Sequence, residues 1–439
     1  MSQKAPDRDT PGRGTPDRDT SKTGGGPGRE RAPAGRAGRA GQSGGGGGGG
    51  ARRQSPAPGG RLLRLLDDDR TSPIALPLFS VFLTLIAASL LLLALGRSPL
   101  TAMAAFLRGS GFMIKPSYAS GQNIITDLLS FLGILAPMLL AALGVIVSMK
   151  AGMFNIGIAG QMLASGFIAT VLVGYSDLGS FIAKPLVILI GAAVGAAMGA
   201  LVGFLKYRFN IHEVVSTIMF NYITSYITGF YINTYYRDII TRSARVCSTA
   251  SRLTITGIAA GSLRPTIPLG ILIALAGVFI VRFLLDRTTV GFELKAVGLN
   301  RDAAQYAGIR VGRSIVLGML ISGLLAGLAG VTYYLGYYNS IVPKELASLG
   351  YDAIAVSLLG NSSPVASIFA SGLITIFQKG SIYMSSTVGV PKEIASVITG
   401  ILLLFSACGT YIRYQARRRR EKLAEEEAKL AAASERGNA

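Results

Sequence analysis

Long apolar segments recur along this chain and constrain its fold more than any other feature. A helix that crosses a bilayer needs about 20 predominantly apolar residues, and most of the segments approach or exceed that length. We distinguish about ten of them, at residues 74–96, 125–149, 151–173, 185–205, 214–236, 267–285, 314–338, 347–361, 364–380 and 393–412. The sequence therefore predicts an all-α polytopic membrane protein whose transmembrane domain covers residues 73–412.

The composition excludes both a soluble protein and a membrane β-barrel. Hydrophobic residues make up 50% of the chain and charged residues 15%, whereas soluble domains carry about 25% charged residues. Barrel strands alternate polar and apolar residues over about 10 positions, but the apolar segments of this chain are continuous. Helices are therefore the predicted way across the membrane.

Two of the ten segments differ from the others because they are rich in glycine and polar residues. They are the third segment, residues 151–173, and the eighth, residues 347–361. A membrane tolerates non-helical backbone only where protein or a water-filled cavity satisfies the freed polar groups. We expect one or both of these segments to be broken or re-entrant helices.

Small residues predict close packing between helices. Gly191, Gly195 and Gly199 recur at every fourth position, as do Gly323 and Gly327. Each set lies along one face of a helix, where it allows another backbone to approach closely. These glycines predict a compact helix bundle and carry no information about its function.

The segments outside the predicted membrane domain are polar and mostly basic. Residues 1–60 consist mainly of Gly, Arg, Pro, Ser and Asp and lack the apolar surface that folding requires, so we expect a disordered cytoplasmic tail. Residues 61–72 predict a short amphipathic stretch at the membrane surface, and residues 413–439 predict a charged cytoplasmic tail. The net charge of +20 is concentrated in tails and loops, so cytoplasmic retention explains it and no nucleic-acid partner is expected.

Basic residues and tyrosines predict the orientation in the membrane. With the amino terminus in the cytoplasm, ten crossings place Lys150, the turn at 206–208, the interval 287–313 and the arginines at 417–420 on one side, as the positive-inside rule requires. The loop 235–265, which carries five arginines, opposes this assignment. Tyrosines that end the fifth and seventh segments fall on the other side and predict interfacial belts, with stacking on a substrate as the alternative. Both termini are therefore predicted to be cytoplasmic.

A polar, charge-bearing interval at residues 287–313 separates the sixth and seventh segments. Its centre carries a helix signature, with Asn300 as the N-cap, Asp302 in the first turn, alanines at 303, 304 and 307, and Gly308 as the terminator. A short helix between two spans has no core of its own to join. We therefore expect an exposed helix that docks on another protein.

No catalytic or metal-binding pattern is visible in the sequence. The single histidine, His212, stands beside Glu213 at the start of the fifth segment, where a structural role such as helix capping is favoured over a role in transport. The run from Gly308 to Ser314, GIRVGRS, has the wrong spacing for a phosphate loop and leads into a membrane span. We therefore expect this chain to have no enzymatic activity and to bind neither a cofactor nor a metal.

Polar residues inside the apolar segments are the candidate solute contacts, because burying an amide in lipid is unfavourable unless it faces a cavity or another polar group. They are Asn155 and Gln161 in the third segment and Asn221, Thr224 and Asn233 in the fifth. Carboxamides and hydroxyls both donate and accept, which suits an uncharged, hydroxyl-rich or heterocyclic solute. Hydrogen bonding between helices without a solute is the equally weighted alternative. No buried carboxylate is expected in the middle of a span, which argues against an ion-coupled transporter.

Four blocks of the sequence resemble one family of membrane proteins. Residues 302–308, DAAQYAG, resemble the EAAxxxG coupling-loop signature of permease subunits in binding-protein-dependent ABC importers, with Asp302 in place of Glu. The blocks AGMFNIGIAGQM, HEVVSTIMFNYI and GYDAIAVSLLGNSSP are similar to further blocks of the branch that carries simple sugars and nucleosides. Among these permeases, FNIG followed by GQ is closer to the nucleoside type. The resemblance covers about residues 125–410.

The resemblance implies an importer subunit of the cytoplasmic (inner) membrane that moves a nucleoside or a related simple sugar. The coupling helix, with Asn300, Asp302, Ala303, Ala304 and Gly308, would sit in a groove of a cytoplasmic ATPase, and that partner would bind the ATP. A second permease subunit and an extracytoplasmic solute-binding lipoprotein are the other implied partners. An ion-coupled secondary transporter and a non-transporting membrane scaffold are the alternatives.

Overall fold

The computed structural model describes residues 72–117, 123–255 and 265–409, together with residues 411, 414–415, 417–419 and 421–422. All of them belong to one compact unit, residues 56–439. The tail predicted at residues 1–60 lies outside the described residues, as does the amphipathic stretch at 61–72 except for its last residue. Most of the charged tail at 413–439 lies outside them as well.

The described residues form thirteen α-helices and one short pair of strands. The helices are α1 (Ser72–Ala94), α2 (Pro99–Gly109), α3 (Ile124–Lys150), α4 (Ile158–Ala169), α5 (Ser180–Phe209), α6 (Glu213–Tyr231), α7 (Gly270–Arg287), α8 (Thr289–Leu299), α9 (Arg301–Tyr306), α10 (Val311–Thr332), α11 (Leu349–Leu359), α12 (Ala366–Val388) and α13 (Lys392–Ala407). The strands β1 (Thr254–Ile255) and β2 (Ile267–Pro268) are antiparallel, with Thr254 opposite Pro268. Each of the ten predicted segments coincides with one of these helices.

Three of the helices in the described part of the chain are long and apolar enough to cross a membrane. They are α3, α5 and α10, the last counted with its extension to Tyr337. α1, α4 and α11 are apolar but shorter. The predicted mainly helical fold with apolar spans is therefore confirmed, while the number of crossings stays a prediction.

α2 is a helix that the sequence did not predict. It begins at Pro99, directly after the N-cap residue Ser98, and is only eleven residues long. It lies along α12, where the rings of Phe106 and Phe377 meet edge to face at 5.0 Å. A helix of this length cannot cross a bilayer, so α2 belongs to the side of the bundle rather than to the spans.

α3 is the central helix of the bundle. Its start is fixed by a capping box in which Asn123 Oδ1 accepts from the amides of Ile125 and Thr126 at 2.9 and 3.1 Å. Every residue from Gly133 to Ser148 is buried, and the helix contacts α7, α10, α11 and α12. A helix that is buried all round forms the core of such a bundle.

α5 and α10 pack against each other at the two predicted sets of glycines. A Cβ atom on Gly195 would lie 2.7 Å from Gly327 Cα, and one on Gly199 would lie 3.0 Å from Gly323 Cα. Real side chains essentially never approach so closely, which means that the two backbones are in direct contact. The predicted close helix packing is therefore confirmed.

The third segment is interrupted, as was expected for one or both of the glycine-rich segments, whereas the eighth contains one short unbroken helix. In the third, residues 151–157 are non-helical and α4 starts only at Ile158. In the eighth, the helix α11 is unbroken but has only eleven residues, and it follows a non-helical stretch from Tyr338 to Ser348. Neither helix alone reaches the length of about 20 residues that a full crossing needs. Non-helical backbone within the bundle requires polar partners from neighbouring helices.

Three helices end in a five-residue π-helical turn at the same end of the bundle. The turns are Thr170–Gly174 after α4, Ile232–Tyr236 after α6 and Tyr333–Tyr337 after α10. The amide of Arg245 donates to Tyr236 O at 2.9 Å, and the amide of Leu253 donates to Leu335 O at 2.8 Å, so one stretch of chain joins two of the turns. We call this the tyrosine end, and the opposite end, where α8 and α9 lie, the α9 end.

The tyrosines that end the fifth and seventh segments share the tyrosine end, as predicted. Tyr231 and Tyr235 are exposed, which is typical of an interfacial belt. Tyr334 is only 5% exposed and its ring packs on Gly166 of α4. The belt prediction is therefore wrong for Tyr334, because its ring packs inside the bundle instead of facing the interface.

Candidate functional site

Buried carboxamides hold the non-helical stretch between α3 and α4, residues 151–157. Asn155 is fully buried, and its Nδ2 donates to Gln161 Oε1 at 3.1 Å and to Ser322 Oγ at 2.9 Å. Its Oδ1 accepts from the amide of Gly157 at 2.9 Å. Since Gln161 lies on α4 and Ser322 on α10, these bonds tie the stretch to both helices.

Asn221 of α6 holds the same stretch from another side. Its Oδ1 accepts from the amide of Gly160 at 2.8 Å, and its Nδ2 donates to Ile156 O at 3.1 Å. Gly160 lies in the first turn of α4, whose amides have no partner within the helix. Asn221 therefore caps α4 from a neighbouring helix. A Cβ on Gly160 would lie 2.8 Å from Asn221 Cα, so this contact depends on a glycine.

We call Asn155, Gln161, Asn221 and Ser322 the amide cluster. Thr224 lies one turn further along α6, buried on the same side of that helix as Asn221. Asn233 is exposed in the π-helical turn at the tyrosine end. The structure thus brings together three of the five predicted solute contacts and leaves Thr224 and Asn233 outside the cluster.

Hydrogen bonds between helices account for the carboxamides of the amide cluster, which was the alternative to a direct solute contact. The side chains of Asn155 and Asn221 both donate and accept within the protein. Buried amides that are satisfied in this way stabilise one arrangement of the surrounding helices. A role in the substrate pathway stays a prediction for all five residues.

The interval 287–313 folds into two helices, α8 and α9, where one was predicted. Thr288 Oγ1 caps α8 by accepting from Gly291 N at 3.1 Å, and Asn300 Oδ1 caps α9 by accepting from Ala303 N at 3.0 Å. Gly308 follows α9 with φ +84°, a conformation that favours glycine. The predicted cap at Asn300 and the predicted terminator at Gly308 are confirmed, whereas α8 was missed.

α8 and α9 are attached firmly to the end of α3. A Cβ on Gly152, which has φ +69°, would lie 2.9 Å from Gly298 Cα, so the two backbones touch. Arg301 Nη2 donates to Gly152 O at 3.1 Å. Lys295 Nζ donates to Asp286 Oδ1 at 2.9 Å, and this hydrogen bond holds the pKa of Asp286 below its usual range. α9 is therefore linked to the chain segment that enters the amide cluster.

α9 presents most of its surface to the outside. Asp302 and Ala303 are exposed, and Ala304 is buried against the bundle. Leu299 and Tyr306 are 88% and 94% exposed. Large apolar and aromatic groups in such positions are typical of a protein contact. The helix signature that predicted α9 rested on its caps, Asp302 and the alanines, and it used neither Leu299 nor Tyr306.

An open groove of about 800 Å³ lies beside α9. It is bordered by Tyr207 at the end of α5 and by Arg310 and Arg313 at the start of α10. Arginine and tyrosine are enriched in protein interfaces. The groove extends the exposed surface of α9 across the α9 end, and together we call them the α9 surface.

His212 and Glu213 have structural roles at the start of α6. His212 Nδ1 accepts from the amide of Val214 at 3.3 Å and so caps the helix. Glu213 lies in the first turn, and its Oε2 is 3.0 Å from Lys206 Nζ. The structural role that was favoured for both residues is confirmed. Within the described part of the chain, no group of three or more His, Cys, Asp or Glu residues is placed to hold a metal ion.

A cavity of about 350 Å³ near the tyrosine end was not predicted. It lies between α3, the π-helical turn after α10, and helices α11, α12 and α13. Asp352 and Gln378 meet in it, and Gln378 Nε2 donates to Asp352 Oδ2. Tyr333, Tyr337 and Tyr338 form part of its wall. We call this space the tyrosine cavity.

Asp352 is a half-buried carboxylate within the eighth apolar segment, although no buried carboxylate was expected in the middle of a span. It stands in the first turn of α11, inside the eighth apolar segment, and lines the tyrosine cavity. The signal was present in the sequence, because a lone acidic residue within an apolar segment is by default a candidate for a functional site. With Asp352 in this position, a lack of carboxylates no longer counts against an ion-coupled transporter.

Comparisons with known proteins give consistent matches over the membrane domain. A family described as branched-chain amino acid transport system / permease component matches residues 128–407. Guanosine ABC transporter permease protein NupP of Bacillus subtilis is 34% identical over 347 residues, which are 79% of this chain and 96% of that protein. Nucleoside ABC transporter permease protein NupB of Lactococcus lactis is 31% identical over 348 residues, 77% of this chain and 92% of that protein.

A second Bacillus subtilis protein is also similar to this chain. It is guanosine ABC transporter permease protein NupQ, which is 26% identical over 270 residues, 60% of this chain and 83% of that protein. No solved structure matches the chain.

Proposed function

This chain belongs to the branched-chain amino acid transport system / permease component family, and from this membership we propose that it forms the membrane pathway of an ABC importer for nucleosides. The family description names branched-chain amino acids. Two relatives, which match over 96% and 92% of their own length, are named for guanosine and for nucleosides. Nucleosides are therefore the better supported substrate class.

The observation that carries this proposal is the capped, exposed helix α9 with the groove beside it. Asn300, Asp302, Ala303, Ala304 and Gly308 form this helix and its caps. We place a cytoplasmic ATPase subunit on the α9 surface, where Leu299 and Tyr306 would be buried by the contact. ATP is bound and hydrolysed by that partner, and this chain contributes no cofactor site of its own.

The contacts of α9 indicate how movement of the ATPase reaches the interior. Arg301 connects α9 to Gly152, which lies near the start of the non-helical stretch 151–157. Asn155, within that stretch, is bonded to Ser322 of α10. A rigid shift of α9 is thereby passed to the contacts between α3, α4 and α10, which is the kind of rigid-body coupling that transporters use.

We propose that the five polar residues predicted from the sequence act on the substrate pathway in two ways. Asn155, Gln161 and Asn221 control its shape, because they hold the backbone between α3 and α4 in place. Thr224 lies on the same buried side of α6, and Asn233 lies at the tyrosine end, where we place the entrance.

The remaining features of the proposed importer follow from the orientation. The α9 end faces the cytoplasm, and both termini of the chain lie on that side. The chain crosses the cytoplasmic (inner) membrane about ten times. A solute-binding lipoprotein delivers the nucleoside at the tyrosine end. A second, different permease subunit completes the pathway, and the similarity of this chain to both NupP and NupQ of one organism supports such a pair.

The exposed tyrosine of α9 provides the test of this function. Tyr306→Asp adds a charge to the α9 surface without disturbing the core, because the side chain is almost fully exposed. A tyrosine at the centre of a protein contact contributes about 2 kcal/mol or more, which is about thirtyfold in affinity. Tyr235→Asp, at an exposed tyrosine of the tyrosine end, is the matched control.

Two measurements distinguish the outcomes. In copurification, the wild type and Tyr235→Asp retain the ATPase subunit while Tyr306→Asp loses it. In proteoliposomes that contain the whole transporter, ATP and no ion gradient, guanosine uptake by Tyr306→Asp falls well below that of the wild type. Retention of the ATPase by Tyr306→Asp contradicts the docking surface, and uptake that requires an ion gradient instead of ATP favours the secondary transporter.

A further inference from the structure

The tyrosine cavity has the size and lining of a small-molecule site. Its volume of about 350 Å³ lies within the range of about 300–1,000 Å³ that ligand pockets occupy. Its wall combines aromatic rings with a few polar groups that converge on the same space. Such a lining is typical of sites that bind a flat, partly polar ligand and fix its orientation.

Asp352 and Gln378 form the polar wall of the cavity. Within the described part of the chain, the side chain of Gln378 supplies the only hydrogen bond to the Asp352 carboxylate. An ionised carboxylate accepts about four hydrogen bonds, so most of its capacity is unused. Asp352 and Gln378 both line the cavity, and the unused acceptor sites are available to a ligand there. A carboxylate inside an apolar segment lowers the stability of the protein unless a hydrogen-bond donor is bound to it for part of the time.

Tyrosine rings form the aromatic wall. Tyr338 meets Tyr333 and Tyr337 edge to face, with ring centroids 4.9 Å apart in both pairs. Tyr338 is partly exposed, and all three rings line the cavity. Aromatic side chains stack on the faces of nucleic-acid bases whatever their sequence, so this wall suits a planar heterocycle.

The cavity exists because two helices depart from regular geometry beside it. After α10 the chain forms the π-helical turn Tyr333–Tyr337, which brings two of the rings to the wall. The non-helical chain then continues to Ser348, and α11 begins only at Leu349. π-helical turns occur frequently at functional sites.

We propose that the tyrosine cavity binds the base of a purine nucleoside and that Asp352 selects a base with two adjacent N–H donors, as in guanine. This inference rests on the proposed nucleoside transport and assigns the groups that contact the base. One carboxylate accepts from N1–H and the 2-amino group of guanine together, in a charge-assisted bidentate pair. The Gln378 carboxamide, which both donates and accepts, is placed to reach the next polar atom of the ring.

Other ligands fit this lining less well. Adenine presents a lone pair at N1, which an ionised carboxylate repels. A branched-chain amino acid offers its ammonium group to Asp352, but its aliphatic side chain has no planar face for the three tyrosine rings. A simple sugar offers hydroxyl groups to Asp352 and Gln378 but no planar aromatic face for the three tyrosine rings.

Asp352→Asn tests the selection. Asparagine has nearly the same shape but donates as well as accepts, so it pairs with the N1 and amino group of adenine and loses the bidentate pair with guanine. Uptake of guanosine and adenosine is measured in cells that have no other nucleoside uptake and that express the complete transporter. The ratio of guanosine to adenosine uptake is expected to fall on the order of tenfold. Asp177→Asn removes an exposed carboxylate outside the cavity and should leave the ratio unchanged.

The binding protein is the same in every strain, so a changed ratio reports on this chain. An Asp352→Asn transporter that assembles with its ATPase and keeps the wild-type ratio overturns the proposed role of Asp352. A wild type that takes up no nucleoside in an ATP-dependent way refutes the proposed function itself, and the inference fails with it. The two failures are therefore distinguishable.

A second measurement needs no variant and decides the question if Asp352→Asn does not assemble. The wild-type transporter is irradiated with 8-azidoguanosine, and the labelled peptides are identified by mass spectrometry. Labelling of residues 333–338 or of the peptide with Gln378, reduced by excess guanosine, supports the site. Labelling confined to other parts of the chain, such as the amide cluster, contradicts it.

Discussion

Replacing Gly195 by alanine tests how closely α5 and α10 approach each other. The added Cβ would meet the carbonyl oxygen of Gly323 and would lie 2.7 Å from Gly327 Cα. Both neighbours are backbone atoms, which cannot rotate away as a side chain does. The two helices must therefore separate along their shared face.

The size of the effect follows from two opposing contributions. Alanine favours the interior of a helix over glycine by about 0.5–1 kcal/mol, and overpacking in a close-packed interior costs about 1–3 kcal/mol. Gly372, within α12, has no atom within 4 Å of the position that a Cβ would take. Gly372→Ala therefore receives the same gain in helix propensity without the clash, and the two variants should differ by about 1–3 kcal/mol.

Thermal inactivation of the purified transporter in detergent measures this difference. Gly195→Ala should lose its monodisperse peak in size-exclusion chromatography several degrees below the wild type, and Gly372→Ala should do so at or above the wild-type temperature. Equal midpoints for the two variants would refute the close approach of α5 and α10. A low midpoint for both would show that α12 has an unrecognised contact at Gly372.

Two further predictions concern the α9 end. Arg301→Leu removes the bond to Gly152 O, which at this partly exposed site is worth about 1 kcal/mol, and should reduce ATP-driven uptake severalfold while the ATPase subunit still copurifies. Arg301→Lys keeps the charge but not the planar donor group, so its uptake should lie between that of the wild type and that of Arg301→Leu. Normal uptake by Arg301→Leu would exclude this link between α9 and Gly152. A cysteine at Asp302 should react with a membrane-impermeant maleimide in inside-out vesicles and not in intact cells. Labelling in intact cells would reverse the proposed orientation.

Local rules predicted those parts of the fold that depend on neighbouring residues in the sequence. The length of the apolar segments was sufficient to predict a helix in each of the ten. A helix within a bilayer forms its backbone hydrogen bonds internally and must be apolar throughout. The cap at Asn300 and the terminator at Gly308 could be predicted because a cap acts within three residues of its own helix. The glycine sets were predicted for the same reason, since their spacing repeats within one helix.

Contacts between distant residues could not be predicted in this way. Asn155 was identified as a candidate, but its partner Ser322 lies 167 residues further along the chain. Nothing in the spacing of either residue indicates that they meet. α8 was missed because it begins at Thr289 directly after α7 ends at Arg287, so the polar interval appeared to contain a single helix.

The tyrosines show a different limit. A tyrosine at the end of an apolar segment has the same appearance in the sequence whether it faces lipid headgroups or the interior. Tyr231 and Tyr235 are exposed, while Tyr334 is buried and Tyr333 lines the tyrosine cavity. The difference arises from the π-helical turn after α10, which changes the direction of successive side chains and has no recognised sequence signature.

Several departures from regular structure coincide at the tyrosine cavity. A π-helical turn, a non-helical stretch and a carboxylate in an apolar segment all border it. The carboxylate is unfavourable for stability, since an apolar residue at position 352 would avoid placing a charge within an apolar segment. Natural proteins retain such features mainly where function requires them. The amide cluster differs from the cavity, because its carboxamides are satisfied by hydrogen bonds within the protein. This difference supports the proposal of a solute contact at Asp352 and of pathway control at Asn155.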